Sequence, residues 1–446
     1  MKPVKLLVFV VILLALVLPN GGVATLAGPN PQGQGPTVEV EPALLSALQT
    51  EGTANLFVVF RNQADLRAAY GLSWAERGDL VYNTLLATAQ RSQAQVRAYL
   101  DARRIPYQSF IIDNSIYIPG AAINTVNDLT LFADVGQLRL ERVYPVPDVR
   151  LEPDLPQITA VEWGVSKINA DDVWGLGYTG GGIVVANIDT GVRYTHQALI
   201  SQYRGNLGGG SYNHTYSWSD PTGTYPSAPG DNNGHGSHTM GTMVGSDGGS
   251  NQIGVAPGAK WIACKGCSST SCSDSTLNAC ADWMLAPGGS TSMRPHIVNN
   301  SWGGCTYDNW YRTKVTAWQA AGIYPVFSAG NTSNCGYSSA FCGSVGTPAT
   351  YREVTAVGST TSTDAISSFS LWGPSQDPYE PNAIKPEVSA PGSTIRSAYY
   401  SGDTTYYTMS GTSMAAPHVS GALALIWSAC PSLVGNFDTT EQLLKD

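Results

Sequence analysis

The sequence predicts an α/β domain built on a doubly wound, mainly parallel sheet with helices on both faces, preceded by a small α+β unit of ferredoxin-like pattern. Three observations carry this. Continuous apolar strands at 183–188, 261–264, 296–299 and 323–328 alternate with helical segments at 276–285 and 310–321, as expected for strands that crossover helices bury on both faces. Before residue 150 the order is strand, helix, strand, helix, strand, at 55–60, 79–102, 107–119, 121–132 and 143–146. Polar side chains capable of chemistry also stand directly after several strands, where open parallel sheets gather their reactive groups.

Composition sets the class. A chain of 446 residues with 43% hydrophobic content can bury a sizeable core, and with 13% charged residues and 48 glycines it suits a rigid, loop-rich exported protein. The net charge of −9 argues against nucleic acid as a partner. Lys2 and Lys5, the apolar run 6–18 and a small-x-small site (Gly22/Ala24 or Thr25/Ala27) read as a signal peptide over 1–27. The apolar run is too short to span a bilayer and no second one follows, so a secreted or periplasmic protein without a membrane partner after cleavage is expected.

A Gly/Pro-rich linker occupies 28–37, the small unit 38–150 and the large domain 151–446, with Pro147, Pro153 and Pro156 marking the boundary. All eight cysteines lie in the second half, and an even count in an exported chain suggests disulfides whose pairing the sequence leaves open. Cys264 and Cys280 fit either a bridge or two buried thiols. Cys264-Lys265-Gly266-Cys267 resembles half a zinc site, but no second ligand pair follows.

Four side chains make a chemical set. Gly411-Thr412-Ser413-Met414-Ala415-Ala416-Pro417 runs into an apolar helix-period stretch, placing Ser413 at a loop-to-helix junction, where alone it reads as an N-cap. Asp189 ends a strand, His235 sits in a glycine-rich approach to a helix, and Asn331 follows another strand. Acyl transfer needs a hydroxyl activated by a neutral imidazole, a carboxylate that fixes the imidazole tautomer, and donors for an oxyanion. The chain order Asp, His, Ser and the absence of GxSxG exclude an α/β-hydrolase.

With these motifs, and with Asn187-Ile188-Asp189-Thr190-Gly191-Val192, His235-Gly236-Ser237-His238, Gly254-Val255-Ala256-Pro257, Asn300-Ser301-Trp302-Gly303 and Ala329-Gly330-Asn331 in order, the chain resembles the subtilisin-like serine peptidases. Its Asn-Ser-Trp-Gly form and the run 252–261 are most similar to the bacillopeptidase F-like branch. The resemblance implies an endopeptidase acting on proteins and peptides, in which Ser413 attacks, His235 carries the proton, Asp189 orients the imidazole, and the Asn331 amide with the Ser413 N–H binds the oxyanion. It also implies that Ser301, Trp302 and Gly303 pair with an extended substrate, that Ala329 and Gly330 belong to the substrate cleft, and that Gly346 floors the pocket for the residue before the cut. No buried charge near Gly346 is evident, which favours apolar or broad selectivity.

By the same resemblance, 38–150 is similar to a prodomain, an intramolecular chaperone and inhibitor removed by a cut within 149–161. A monomer is expected. No cofactor is needed for the chemistry. Family members often bind calcium through an aspartate after the catalytic strand, but here that stretch is Tyr194-Thr195-His196-Gln197-Ala198, so a calcium ion would have to lie elsewhere, with ligands unassigned. His238 is expected to be structural, since no third ligand completes a metal pair with His235. The last residues, 440–446, read as a helix cut short, which would leave core surface exposed. Two further readings were weighed: a non-catalytic binding module, which the retention of all four residues disfavours, and an exopeptidase, for which no insertion is large enough.

Overall fold

The computed structural model describes residues 37–152 and 161–446. The signal-peptide segment, all but the end of the linker, and most of the expected processing stretch lie outside the described residues.

The N-terminal unit is a five-stranded sheet with the spatial order Glu39–Val40, Val135–Leu140, Thr53–Phe60, Ser115–Ala122, Gln108–Phe110, antiparallel except for its first pair. Leu44, Leu56, Val58, Ile116, Ile118 and Leu138 form part of its core. The helix expected at 79–102 is two helices, Trp74–Ser92 and Ala94–Arg103. Its start lies earlier because Ser73 and Glu76 form a reciprocal capping box. The break falls at Gln93, a buried residue whose amide nitrogen binds the Phe110 carbonyl and Asn114 Oδ1, both at 3.0 Å.

The main sheet of the large domain has seven strands, all parallel, in the order Trp218–Ser219, Lys260–Lys265, Val184–Asp189, Ile297–Asn300, Tyr324–Ser328, Thr355–Thr360, Val388–Pro391. Successive side chains of a strand point to opposite faces. Accordingly Ala186 and Ile188 join the core with Leu277, Ala281 and Trp318 of helices Asp274–Leu285 and Arg312–Ala320, while Val185 joins Met240, Val244, Leu423 and Trp427 of helices His235–Val244 and Thr412–Ala429. Strand order reverses beside Val184–Asp189, so the crevice for reactive groups opens at Asp189.

Three disulfides form, Cys264–Cys280, Cys267–Cys272 and Cys305–Cys335, while Cys342 and Cys430 are free and exposed. Cys264 and Cys280 are thus a bridge. The helix Phe437–Lys445 does not leave the core bare: Phe437 packs on Tyr324 at 5.3 Å between ring centres, and Thr440 Oγ1 accepts from Trp427 Nε1 at 3.0 Å. Among the described residues no helix is long and apolar enough to cross a membrane.

The two bodies share an apolar contact, in which Ala69, Val81, Leu85 and Ile112 of the small unit join the buried cluster of Leu277, Ala281 and Trp318, and polar groups surround it. Asp282 accepts from the Ile112 N–H at 2.9 Å and the Ile111 N–H at 3.4 Å, and Lys314 pairs with Asp113 at 2.6 Å. Arg139 pairs with Asp274, Arg77 donates to the carbonyls of Ala320 and Gly435, and Trp74 stacks on His296 at 4.5 Å. The chain then leaves the small unit along the face of the large one. Strand Val143–Pro145 pairs antiparallel with Ser271–Ser273, the Val146 N–H donates to the Thr270 carbonyl at 2.9 Å, and strand Arg150–Glu152 pairs antiparallel with Tyr406–Ser410.

Candidate active site

Asp189 closes its strand and is buried. Its Oδ1 accepts from the Thr190 N–H and from His235 Nδ1, both at 2.7 Å, and Oδ2 accepts from Thr239 Oγ1 at 3.3 Å. An ionised carboxylate can only accept, so the bond to Nδ1 places the ring proton there and leaves Nε2 with its lone pair. That Nε2 is buried and has no hydrogen-bond partner among the described residues.

Glycines bring the histidine in. Gly234 caps the helix with φ 104°, and a Cβ on Gly236 would lie 2.1 Å from the Gly191 carbonyl oxygen, so any larger residue would force the helix away from the Asp189 loop. Beneath them, Asp231 accepts from Thr190 Oγ1 (3.0 Å), the N–H groups of Asn233 (2.9 Å) and Gly234 (3.0 Å), and Ser237 N–H and Oγ (3.0 and 2.8 Å). Burial pushes the Asp231 carboxyl up against the pull of these donors. Lys265 holds the Thr190 carbonyl at 2.5 Å, Asn232 Oδ1 at 2.8 Å and the Cys267 carbonyl at 3.0 Å. Burial lowers its ammonium while Asp231, Asp220 and Asp189 raise it.

Ser413 is the second residue of its helix, and Gly411 takes the cap position, so the hydroxyl is not spent as an N-cap. Instead Ser413 Oγ points to the Ser301 carbonyl at 3.3 Å, and Ser301 Oγ donates to the Ser413 carbonyl at 3.0 Å. Asp189 and His235 are joined; no hydrogen bond links Ser413 to His235 Nε2 among the described residues. Such a contact often tightens only when substrate binds.

Asn331 is held by its oxygen. Oδ1 accepts from both the N–H and the Oγ1 of Thr412, each at 2.9 Å, which leaves Nδ2 to donate on the cavity side, where it meets Asn334 Oδ1 at 3.4 Å. Asn331, Ser413, Ala329, Gly330, Gly303 and Gly346 line one cavity, which Pro147 also reaches. Trp302 lines it too, but its ring packs on Tyr311 and Phe327 at 4.9 and 5.4 Å, so only its backbone is free to meet a peptide. Ser301 meets the site through its bonds to Ser413.

The sequence reading passed over Asp231, Lys265, Thr412 and Asn334 as site residues. Asp231 alone gives a local signal, as a turn aspartate two residues before Asn233 and three before Gly234; Lys265 and Thr412 act across segments far apart in the chain, and Asn334 meets Asn331 within one short turn. His238 is structural: it is buried, its Nε2 meets the carbonyls of Ile395 and Tyr407 at 2.9 and 3.2 Å, and burial drives its pKa down to about 3.

The stretch 194–198, which the family resemblance associates with calcium, and the loop 245–252 do not fit that ion. Both ring nitrogens of His196 are engaged, with the Ala198 N–H (3.1 Å) and the Thr405 carbonyl (2.9 Å), and the Asp247 carboxylate is taken by the N–H groups of Gly249 and Asn251 and by the Asn251 amide. A cation is already present. The buried Arg396 guanidinium meets Glu162 Oε1 and Asn251 Oδ1, both at 3.1 Å, and lies 4.2 Å over the Tyr406 ring. A calcium ion needs six to eight oxygens and would face this charge. Among the described residues no three His, Cys, Asp or Glu side chains gather as metal ligands.

Comparison with known proteins agrees with this geometry. A model of the Subtilase family matches residues 180–446. Bacillopeptidase F of Bacillus subtilis (strain 168) is 39% identical over 397 residues, covering 83% of this chain and 26% of that protein. Subtilisin DY of Bacillus licheniformis is 34% identical over 274 residues, 61% of this chain and 86% of the relative. Alkaline serine exoprotease A of Vibrio alginolyticus is 32% identical over 332 residues, 71% of this chain and 52% of the relative. The chain thus spans about a quarter of the length of Bacillopeptidase F. With a parallel sheet that reverses at Asp189, a bonded Asp189–His235 pair and a helix-borne Ser413, the chain belongs to the Subtilase family.

Proposed function

We propose that this protein is an exported serine endopeptidase that cuts proteins through an acyl-enzyme on Ser413, made as a precursor that is held inactive by its own 38–150 unit and processes itself within 149–161. One observation carries the reading. The chain between the two bodies lies across the serine as an extended strand, paired with Ser271–Ser273 before it and with Tyr406–Ser410 after it, with Pro147 in the cavity of Ser413 and Asn331 and Val149 against Met409 and Met414. Its course beside Ser413 supports the reading that it lies where a peptide substrate would. The small unit's docked sheet and its polar contacts support a role as chaperone and inhibitor, and the reading treats the released enzyme as a monomer.

In this mechanism Ser413 Oγ adds to the peptide carbonyl while His235 Nε2 takes its proton; Nε2 is the free nitrogen because Asp189 holds the proton on Nδ1. Asp189 then stabilises the imidazolium. Asn331 Nδ2, turned toward the cavity by Thr412, and the Ser413 N–H receive the oxyanion. Collapse returns the proton from Nε2 to the leaving amine, and water repeats the sequence to free the acid. No cofactor takes part.

The test is to incubate secreted protein and its Ser413→Ala variant with a fluorophosphonate, then map the label and the new N-terminus by mass spectrometry. Label on Ser413 and a terminus within 149–161, both absent in the variant, are expected. A folded wild-type protein that takes no label would sink the catalytic reading, and one that takes label yet keeps its small unit attached would sink self-processing.

A further inference from the structure

The cavity beside Ser413 is a narrow slot. With Pro147 at its rim it keeps about 20 Å³, room for about one water. One wall is 303–305, which continues from strand Ile297–Asn300; the other is 329–335, which continues from strand Tyr324–Ser328. Gly346 lies between them, and a Cβ there would come within 2.6 Å of the Gly304 carbonyl oxygen.

The two walls are anchored differently. The first is tied to the body by a two-way backbone pairing of Gly304 with Thr347, at 2.7 and 2.9 Å. The second is tied as far as Thr332, whose N–H donates to the Phe369 carbonyl at 2.9 Å. Beyond that, Ser333–Cys335 is one 3-10 turn whose backbone hydrogen bonds are local. Among the described residues, the Cys305–Cys335 disulfide and a hydrogen bond from the Tyr337 hydroxyl to the Cys305 carbonyl at 3.4 Å link this turn to the opposite wall. The turn carries Asn334, whose Oδ1 accepts from Asn331 Nδ2 at 3.4 Å.

We propose that the Cys305–Cys335 disulfide is a specificity-determining element, which fixes the slot at a width that admits small residues such as alanine, glycine and serine on the acyl side of the cut bond and excludes large aromatic ones. This inference rests on the peptidase reading. It follows from the anchoring: a covalent tie sets the distance between a fixed wall and a turn that otherwise has only its own hydrogen bonds and one tyrosine to hold it. Asn334 acts through the same turn as a positioning residue, because a displaced turn would release the Asn331 amide from its direction.

The experiment uses the processed enzyme and peptide substrates that differ only in the acyl-side residue, Ala, Leu or Phe. For the wild type, kcat/KM for Ala should exceed that for Phe roughly tenfold or more, the discrimination a pocket gains against a side chain it cannot hold. In the double variant Cys305→Ala/Cys335→Ala the ratio should fall toward one, mainly through a lower KM for Phe, with kcat reduced for every substrate. In Asn334→Ala, which keeps the disulfide, kcat should fall with the Ala/Phe ratio unchanged. A wild type that cleaves the Phe peptide as well as the Ala peptide overturns the inference, and so does a double variant that keeps the wild-type ratio. Should the double variant not fold, the wild-type ratio and the kcat of Asn334→Ala decide. If wild type cleaves no peptide and takes no fluorophosphonate, the peptidase reading itself fails, whereas cleavage of all three peptides alike removes the width inference alone.

Discussion

Two buried polar clusters in this molecule are built on opposite plans. At the sheet's carboxyl end, Asp189, Asp231, Lys265 and Thr190 bond one another within a single body, and the group left over is His235 Nε2. At the joint between bodies, Asp113 with Lys314, Arg139 with Asp274, and Asp282 with two backbone N–H groups each draw one partner from either side. Burying a polar group without a partner is costly. In the first cluster the bond to Asp189 leaves His235 Nε2 with its lone pair and no partner, whereas in the second each charge depends on the other body for its partner.

The strongest way to break the first cluster is Asp189→Asn. It keeps the shape but can donate to Nδ1, reversing the tautomer, and should lower kcat about 10⁴-fold with the melting temperature little changed, as read by steady-state kinetics beside a thermal scan. Next is Asn331→Ala, which removes one oxyanion donor. A fall of about 10²–10³ in kcat at similar KM is expected, and an equal rise in KM would instead assign Asn331 to ground-state binding.

A third cluster sharpens the contrast, since Arg396 pairs with Glu162 and Asn251 inside one body. Arg396→Met should lower stability by about 3–5 kcal/mol, as read by denaturant unfolding, by taking the guanidinium away from the buried Glu162 carboxylate. Asp247→Asn should leave unchanged whatever response the melting temperature shows to EDTA, and an EDTA response that this substitution abolishes would contradict the poor fit of calcium at this corner.

The smallest effect concerns the joint. Burial raises the Asp282 carboxyl to about 7, with Asp113 adding to the rise and Lys314 opposing it. A group whose pKa is raised by docking favours the docked state below its undocked value, near 4 for a carboxyl, and that contribution is lost as pH rises through about 7. The precursor with Ser413→Ala should therefore expose its small unit to trypsin more at pH 8 than at pH 5, relative to a parallel Asp282→Asn precursor in which this titration is absent. Equal pH dependence in both would remove Asp282 from the joint's response.

Much of this was legible because it is local. Continuous apolar runs announced four central strands, and Gly-Thr-Ser with an apolar helix behind it announced Ser413. The strands Thr355–Thr360 and Val388–Pro391 lack a continuous apolar run, carrying Thr355, Gly358, Ser359, Thr360 and Ser389, so the sequence does not announce them. The same holds for Lys265 and Arg396, whose partners lie far along the chain, while Asn334 meets Asn331 within one short turn that no periodicity marks. No periodicity encodes a guanidinium that meets Glu162 and Asn251 from 234 and 145 positions away. The helix beginning at Trp74 was different: its Ser73–Glu76 capping box was in plain sight and went unread.

The strand that crosses the serine is covalently continuous with both bodies, so docking of the small unit is intramolecular. A short tether of this kind holds its partner at a local concentration on the order of millimolar. Cutting the tether changes no contact at the joint, yet it exchanges that local concentration for the bulk one. Under the self-processing reading, the volume into which the protein is released then decides when it becomes active: a dense suspension of cut molecules stays silent, and dilution turns it on.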